Sequence, residues 1–187
     1  IFQIKSILVY LDQADIGMDT HSEDALSLDA LDLRLLAQLQ LDASLTNQDL
    51  AQAVNASPAT CLRRVRRLVQ TGVIEKTVAI LAPAQVGQAL TAIVEVTLMT
   101  QDAESLARFE RLMQWEAAIQ QCYRVSTGPD FVLIITVANM DAYHDFVHRT
   151  LTAANQVRNV RTFFSINRSK FSAQLPLPKT TTNITRR

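Results

Sequence analysis

The sequence predicts an α+β protein of two modules, a three-helix unit followed by a sandwich of one β-sheet and two helices. The first observation behind this prediction is a series of three helical patterns between residues 28 and 71, each preceded by a residue that caps helices. The second is an alternation of strand and helix patterns in the order βαββαβ between residues 89 and 166. The composition agrees, because 187 residues with 48% hydrophobic and 19% charged side chains suffice for one large or two small globular domains.

The charge of the chain is balanced overall but uneven along its length. With 18 basic and 18 acidic side chains the formal net charge is zero, which argues against a protein that coats polyanions without specificity. Residues 1–32 hold seven acidic side chains and one lysine, whereas residues 61–76 hold five basic side chains and one acidic one. We interpret residues 1–27 as an acidic leader, either an extension or a disordered segment. Its apolar start is too short to span a membrane and lacks the basic residues that open a signal peptide.

The first two helices follow from their capping residues and their leucines. The pattern over residues 28–41 predicts a helix that begins after Asp29 and carries one apolar stripe of leucines. After a short break, Thr46 is expected to cap a second helix, which buries Leu50 and Val54. These two helices provide the surface on which a third helix can pack.

The third helix has the most informative sequence in the chain. Ser57 is a favoured N-cap residue, and Pro58 stands at the first helical position, where its missing N–H costs nothing. The helix is predicted to end at Gly72, and an extended β element is expected over residues 73–81. Three helices followed by a β element predict a winged helix-turn-helix over residues 28–82.

The two faces of this third helix differ in chemistry. At about 100° per residue, its apolar side chains fall on one side, and these are Cys61, Leu62, Val65, Leu68 and Val69. The opposite side carries small residues near the N-terminus and guanidinium groups further along. Such a face fits the major groove of DNA, where arginine bonds guanine or phosphate. The helix-turn-helix over residues 46–70 therefore predicts binding of double-stranded DNA, against the alternative of a merely solvated charged face.

The side chains expected to contact DNA are Ser57, Thr60, Arg63, Arg64, Arg66 and Arg67. Thr60, Arg63 and Arg67 lie opposite the apolar side and are expected to reach bases or the adjacent phosphates. Ser57 sets the start of the helix and is a candidate for a phosphate contact. Arg64 and Arg66 flank the two edges, and we expect them to contact the DNA backbone or a neighbouring helix.

The second module begins after a linker at residues 83–88. Residues 89–175 contain four strand patterns and two helix patterns in the order of the ferredoxin-like fold, a split βαβ sandwich. Two helices cover one face of such a sheet. The other face carries enough apolar side chains to require a partner, and a symmetric homodimer is the simplest one. Residues 176–187 are rich in proline, threonine and lysine and are predicted to be disordered.

Taken together, these segments resemble the Lrp/AsnC family, the leucine-responsive and feast/famine regulators of bacteria and archaea. The matching stretches are Leu28–Leu36, Leu50–Ala51, Ser57–Leu68, Thr71–Ile74 and Arg161–Phe163. The resemblance implies a cytoplasmic, nucleoid-associated transcription factor that binds palindromic promoter sites as a homodimer or a larger assembly, commonly an octamer. It also implies a C-terminal module that assembles the oligomer and senses an amino acid between subunits, with no other cofactor and no membrane partner.

The same resemblance implies where an amino-acid effector would bind. One wall of the family's pocket is the turn between the second and third strands of the module, which residues 125–131 match. Here the glycine of that turn is displaced by one place and Pro129 removes a backbone N–H donor, which weakens a site for a carboxylate. The candidate effector residues are Thr127, Gly128, Asp130, Met140, Phe163 and Ser165. For the last three, packing in the core or the dimer interface is the alternative role.

The sequence gives little support for metal binding, redox chemistry or catalysis. His144 and His148 have the spacing of two metal ligands on a helix, but both are expected to face solvent, so no metal site is expected. Cys61 and Cys122 are expected to be small buried residues rather than redox centres. We see no catalytic constellation and do not expect an enzyme. The alternative function is a small-molecule-binding or enzymatic ferredoxin-like protein with a vestigial helix-turn-helix.

Overall fold

The computed structural model describes residues 26–178 and 182–184, which form two units. The first unit contains the described residues up to Ala79 together with the C-terminal segment from Phe171, and the second unit contains Ile80–Lys170. The chain therefore passes from one unit to the other twice. Most of the predicted leader, residues 1–25, lies outside the described residues.

The three predicted helices of the first unit and the predicted βαββαβ series of the second are present in order, and a further strand lies at each end. In chain order they are β1 (Leu26–Leu28), α1 (Ala30–Leu41), α2 (Asn47–Ala53), α3 (Pro58–Gln70), β2 (Leu90–Leu98), α4 (Ala103–Gln114), β3 (Ile119–Arg124), β4 (Phe131–Val137), α5 (Met140–Thr150), β5 (Val157–Phe164) and β6 (Thr182–Ile184). Short 3-10 helices lie at Pro83–Val86, within the predicted linker, and at Ala153–Asn155.

The three helices of the first unit begin at the predicted capping residues. Asp29, Thr46 and Ser57 are the N-caps of α1, α2 and α3, and each side chain accepts hydrogen bonds from backbone N–H groups of the following turn. After α3, Gly72 takes a left-handed conformation with φ of 73°, which glycine adopts without strain. The start and the end of α3 are therefore set by local chemistry, as predicted.

The core of the first unit lies between its helices in two adjoining groups. One group consists of Leu35, Leu50, Ala51, Val54, Cys61 and Val65, and the other of Leu28, Leu33, Leu36 and Leu68. Each helix contributes side chains from one face only, which is the arrangement that the helical period predicts. Burial of Leu50 and Val54 confirms the predicted inner face of α2.

The β element predicted after α3 is not formed, which is a correction to the sequence analysis. Val73 and Ile74 pack against the leucine group of the core, but residues 75–82 form neither helix nor strand, and Val78 is 63% exposed. An extended segment becomes a strand only when another strand pairs with it. No strand within residues 26–178 or 182–184 pairs with this segment.

The C-terminal segment, residues 171–178, packs on the first unit. Gln40 at the end of α1 bonds the Leu175 backbone on both sides: its Oε1 accepts from the Leu175 N–H at 2.6 Å, and its Nε2 donates to the Leu175 carbonyl at 3.3 Å. Leu177 packs against the leucine group of the core. Further along, β6 pairs antiparallel with β1, with Leu28 opposite Thr182.

This contact concerns two segments for which the sequence made predictions. Residues 171–175, predicted as the end of the ferredoxin-like module, pack with the first unit. Within the described part of the predicted disordered tail, Leu177 packs against the leucine group and β6 pairs with β1. Composition alone shows neither contact.

Removing the Leu177 side chain is expected to destabilise the first unit selectively. Because this side chain is partly buried among leucines, Leu177→Ala should lower the free energy of unfolding of that unit by about 1–2 kcal/mol. Leu175→Ala is the matched control, since the Leu175 side chain is 72% exposed and only its backbone is bonded. Hydrogen exchange resolved on peptides from each unit measures both variants. Equal effects of the two variants would contradict the described packing.

The second unit contains a four-stranded antiparallel sheet in the order β3-β4-β2-β5. The two central strands, β2 and β4, are not connected directly to each other, because α4 and β3 lie between them in the chain. This order and connectivity are those of the predicted ferredoxin-like βαββαβ sandwich. Asn139 is the N-cap of α5, and its side chain accepts a hydrogen bond from the Ala142 N–H.

The core of the second unit lies between one face of the sheet and the helices α4 and α5. Alternate residues of β2 and β4 are buried there, and the helices contribute Leu106, Phe109 and Met113 from α4 and Tyr143 and Phe146 from α5. The other face of the sheet has no cover within this unit. None of the helices in the described ranges has the length and apolar character needed to cross a membrane.

Candidate nucleic-acid interface

The first turn of α3 is held by side chains on both sides. The Ser57 hydroxyl accepts a hydrogen bond from the Thr60 N–H at 3.2 Å and donates to the Thr60 hydroxyl at 2.8 Å. From α2, the Asn47 amide donates to the Pro58 carbonyl at 2.8 Å, which joins the two helices of the helix-turn-helix. The geometry of the turn is therefore fixed by bonds within the unit, while Ser57 and Pro58 stay exposed.

The apolar side of α3 is buried as predicted. Cys61, Val65 and Leu68 have at most 2% of their surface exposed. Cys61 has no exposed surface, and this burial raises the pKa of its thiol above the usual value. On the other side of the helix, Arg63 and Arg66 are exposed.

Arg64 and Arg67 are placed differently from the other two arginines. Both donate to the Asp32 carboxylate of α1, which has no exposed surface: Nη1 of Arg64 lies 3.2 Å from Oδ2, and Nη2 of Arg67 contacts the same oxygen. Nη1 of Arg64 also lies 2.6 Å from Oδ2 of Asp29, the N-cap of α1. Two carboxylates and two guanidinium groups thus form a charge cluster between α1 and α3, which we call the α1–α3 charge cluster.

Contacts within this cluster shift the pKa values of Asp29 and Arg64. The hydrogen bond from the Asp32 backbone N–H, together with the Arg64 guanidinium, holds the pKa of the Asp29 carboxyl below its usual value. The hydrogen bond to Asp29 raises the pKa of the Arg64 guanidinium above its usual value. Asp32 also accepts from the Asp29 N–H at 3.1 Å, which completes a capping box at the start of α1.

The structure corrects the predicted placement of Arg67. The helical period put this side chain opposite the apolar face, free to reach DNA, but it turns back to Asp32 and is 39% exposed. Arg64 makes one of the two contacts expected for it, the one with a neighbouring helix. Asp32 was not among the predicted site residues, although its position on α1 provides a signal. Asp32 precedes Leu35 and Leu36 by three and four residues, so it is an acid on the apolar stripe of α1 and requires a cationic partner.

The candidate effector residues fall into two groups at opposite ends of the sheet of the second unit. Thr127, Gly128 and Asp130 lie in the turn before β4, whereas Met140 follows β4 and Phe163 and Ser165 lie at the end of β5. With seven residues in β4, the two groups are separated by about 20 Å. One subunit therefore does not bring them into a single pocket.

The turn before β4 is fixed by Asp130. Its carboxylate accepts from the Leu98 N–H at 2.7 Å, and its backbone N–H donates to the Val96 carbonyl at 2.9 Å. Thr127 and Gly128 are exposed at the tip, and Gly128 has φ of 89°, a conformation that other residues rarely adopt. The structure thus gives Asp130 a role in holding the turn, and leaves the tip open.

The open face of the sheet carries an apolar row that runs across three strands. Phe163 of β5 pairs with Ile93 of β2, and Ile93 pairs with Ile134 of β4. Ile93 and Phe163 are 39% and 41% exposed. The adjacent row contains Val132 and the ion pair between Arg161 and Glu95, and the Arg161 guanidinium lies 4.7 Å from the Phe163 ring centre.

The remaining residues considered for a metal or redox site, His144, His148 and Cys122, lie on the surface of the second unit. His144 and His148 are both exposed on α5, as predicted, and no three side chains of the metal-ligating types cluster within the described residues. Cys122 is exposed, so the prediction that it is buried is wrong. It lies on β3, the edge strand of the sheet, which has a neighbouring strand on one side only.

Two models of known families match the chain, one for each unit. A winged helix-turn-helix DNA-binding domain matches residues 28–75, and the Lrp/AsnC ligand binding domain matches residues 91–175. The first match lies within the first unit, and the second covers the sheet and helices of the second unit and extends to residue 175.

Individual relatives match across both units. The leucine-responsive regulatory protein of Rhizobium meliloti is 36% identical over 151 residues, which cover 80% of this chain and 96% of that protein. A crystal structure of an AsnC family transcriptional regulator from Agrobacterium tumefaciens is similar with a TM-score of 0.75 and 32% identity, covering 80% of this chain and 97% of that one. A transcriptional regulator from Neisseria meningitidis, solved in complex with L-methionine, has a TM-score of 0.74 and 28% identity, with 80% and 96% covered.

Proposed function

Because this chain belongs to the Lrp/AsnC family of transcriptional regulators, we propose that it binds palindromic promoter DNA as a homo-oligomer, in the cytoplasm on the nucleoid, and that an amino acid modulates this binding. The helix-turn-helix of the first unit supplies the DNA contacts. The ferredoxin-like module supplies the contacts between subunits.

The exposed side of α3 is the observation that carries the DNA part of this proposal. Its first turn, fixed by Ser57 and Thr60, is followed by the exposed Arg63 and Arg66. A helix presented in this way fits the major groove, with arginines that bond guanine edges or phosphates. We assign Thr60 and Arg63 to bases or the adjacent phosphates, and Ser57 and Arg66 to the DNA backbone.

The apolar row on the open sheet face supports a homodimer. A single helix-turn-helix buries too little surface for high affinity, so two copies are needed. A second copy that covers the row of Phe163, Ile93 and Ile134 removes this row from water and joins two DNA-binding units. With recognition helices about 34 Å apart on successive major grooves, the site is a palindrome. The family resemblance extends the proposal to an octamer of such dimers.

An amino acid is the proposed effector, at the interface between subunits. The related regulator from Neisseria meningitidis was solved with L-methionine, which is an amino acid. The candidate residues form two groups, Thr127 with Asp130 and Met140 with Phe163. These groups come together only if they belong to two different subunits. Mass measurements with each of the twenty amino acids test this part, and an assembly and a DNA affinity that never change would contradict it.

Arginine substitutions test the DNA part. A palindromic duplex is first selected from a random pool, and its affinity is then measured at several salt concentrations. Arg63→Ala and Arg66→Ala are each expected to weaken binding by about 1–3 kcal/mol. Arg108→Ala is the control, because it removes the same charge from an exposed position on α4 of the other unit. An equal loss in all three variants would show that only overall charge matters.

A further inference from the structure

We propose that Asp32 is a positioning residue for DNA binding, which holds Arg64 and Arg67 on α1 and leaves Arg63 and Arg66 as the arginines of α3 that contact DNA. This inference rests on the proposed function and deepens it. It assigns different roles to four arginines that stand within five consecutive residues of the chain.

The Asp32 carboxylate lies in the interior of the first unit. This carboxylate has no exposed surface, so it has lost its hydration and depends on cationic partners within the unit. Arg64 supplies one guanidinium group and Arg67 the other. If either arginine moved to a phosphate, the buried charge would lose a partner, which is strongly unfavourable.

The positions of Arg64 and Arg67 on α3 restrict the orientation of this helix. The two residues are three apart, so they lie one above the other on the same side of α3, and both contact one oxygen of Asp32. Two contacts one turn apart oppose rotation of α3 about its own axis. Asp32 is itself anchored at the start of α1 through the Asp29 N–H, so the α1–α3 charge cluster fixes which side of α3 faces outward.

The Nε atoms of Arg64 and Arg67 are both buried. In an arginine side chain that extends into solvent, this atom would be exposed. The stems of both side chains therefore lie against the unit, and contact with a phosphate would require them to leave it. Arg63 and Arg66 are exposed and need no such change.

The salt dependence of DNA binding tests this assignment, because it counts contacts with phosphate and is not altered by a merely structural change. Each phosphate contact contributes about 0.9 to the slope of log affinity against log salt concentration. Four matched variants, Arg63→Gln, Arg64→Gln, Arg66→Gln and Arg67→Gln, are compared with the parent on one duplex. We expect the slope to fall by about 0.9 for Arg66→Gln, because Arg66 is assigned to the DNA backbone, and also for Arg63→Gln if Arg63 bonds a phosphate and not a base. The slope should stay unchanged for Arg64→Gln and Arg67→Gln. Arg64→Gln and Arg67→Gln should instead lower the affinity by the same factor at every salt concentration.

Asp32→Asn provides a second, opposite expectation. This variant keeps the shape of the side chain but frees two arginines, so the slope should become steeper, by up to about 1.8, and discrimination between the selected duplex and a scrambled one should fall tenfold or more. If this variant does not fold, as judged by circular dichroism, the glutamine series still decides. A slope that falls by about 0.9 in Arg64→Gln or Arg67→Gln would overturn the inference while leaving the proposed function intact. A parent chain that binds no duplex would overturn both.

Discussion

Replacing Ile134 with glutamate is expected to separate the proposed homodimer and to weaken binding to a palindromic duplex by about 100-fold or more, because two joined DNA-binding units bind one duplex more tightly than a single unit by factors of this size. Ile134 lies at one end of the apolar row and pairs with Ile93, which pairs with Phe163 on its other side. A carboxylate at this point would lose its hydration between two sheets without gaining a bond. The expected result follows from the open face alone and requires no effector.

Sedimentation and duplex binding measure this outcome together. The variant should sediment as a monomer and bind a duplex with one half-site as well as the parent does, so only the palindrome distinguishes them. Gln114→Glu is the control, because it adds the same charge at an exposed position on α4, on the covered side of the sheet. A dimer that survives in Ile134→Glu would show that the subunits meet through another surface.

Features that depend on neighbouring residues in the chain were predictable from the sequence. The N-caps Asp29, Thr46 and Ser57 each act within one turn of their own helix, and the left-handed Gly72 follows from the end of the α3 pattern. The order of strands and helices in the second unit follows in the same way, since periods of 2 and 3.6 residues are local properties. These signals predict both the fold and the outward side of α3.

Features that depend on distant residues were not predictable in the same way. Arg67 was assigned to DNA because the helical period describes a helix by itself, whereas its partner Asp32 is 35 residues away in the chain. The contact between Gln40 and Leu175 spans 135 residues, and the composition of the tail gives no sign of it. In both cases a polar or apolar group is paired by the tertiary fold, which overrides the local pattern.

The β element after α3 illustrates the opposite case, in which a local pattern exists without a partner. Residues 73–81 contain enough β-branched and apolar side chains to predict a strand, yet in the described chain nothing pairs with residues 75–82. Strand formation is a property of two segments, so propensity alone overestimates it. Helices differ, because their hydrogen bonds close within one segment.

Phe131→Ala is expected to be the most destabilising single substitution in the second unit, lowering its free energy of unfolding by about 3–5 kcal/mol. Phe131 has no exposed surface, and its ring centre lies 4.7 Å from that of Phe109. Alanine would leave a cavity between β4 and α4, and close packing allows only partial collapse around it. Such a loss is a large share of the stability of a small domain.

The loss of packing in Phe131→Ala should also weaken the turn that precedes β4, and hydrogen exchange of single amides can detect this change. Asp130 adjoins Phe131 and bonds the Leu98 N–H at 2.7 Å, so in Phe131→Ala the Leu98 amide should exchange with solvent faster, while amides of α3 in the other unit keep their rates. Trp115→Ala is the matched control, because it removes a larger aromatic side chain that is 88% exposed and should change the free energy by at most about 0.5 kcal/mol. If both aromatic truncations cost the same, the stability of this unit would not depend on the Phe131–Phe109 contact. If α3 amides also exchanged faster, the two units would unfold as one.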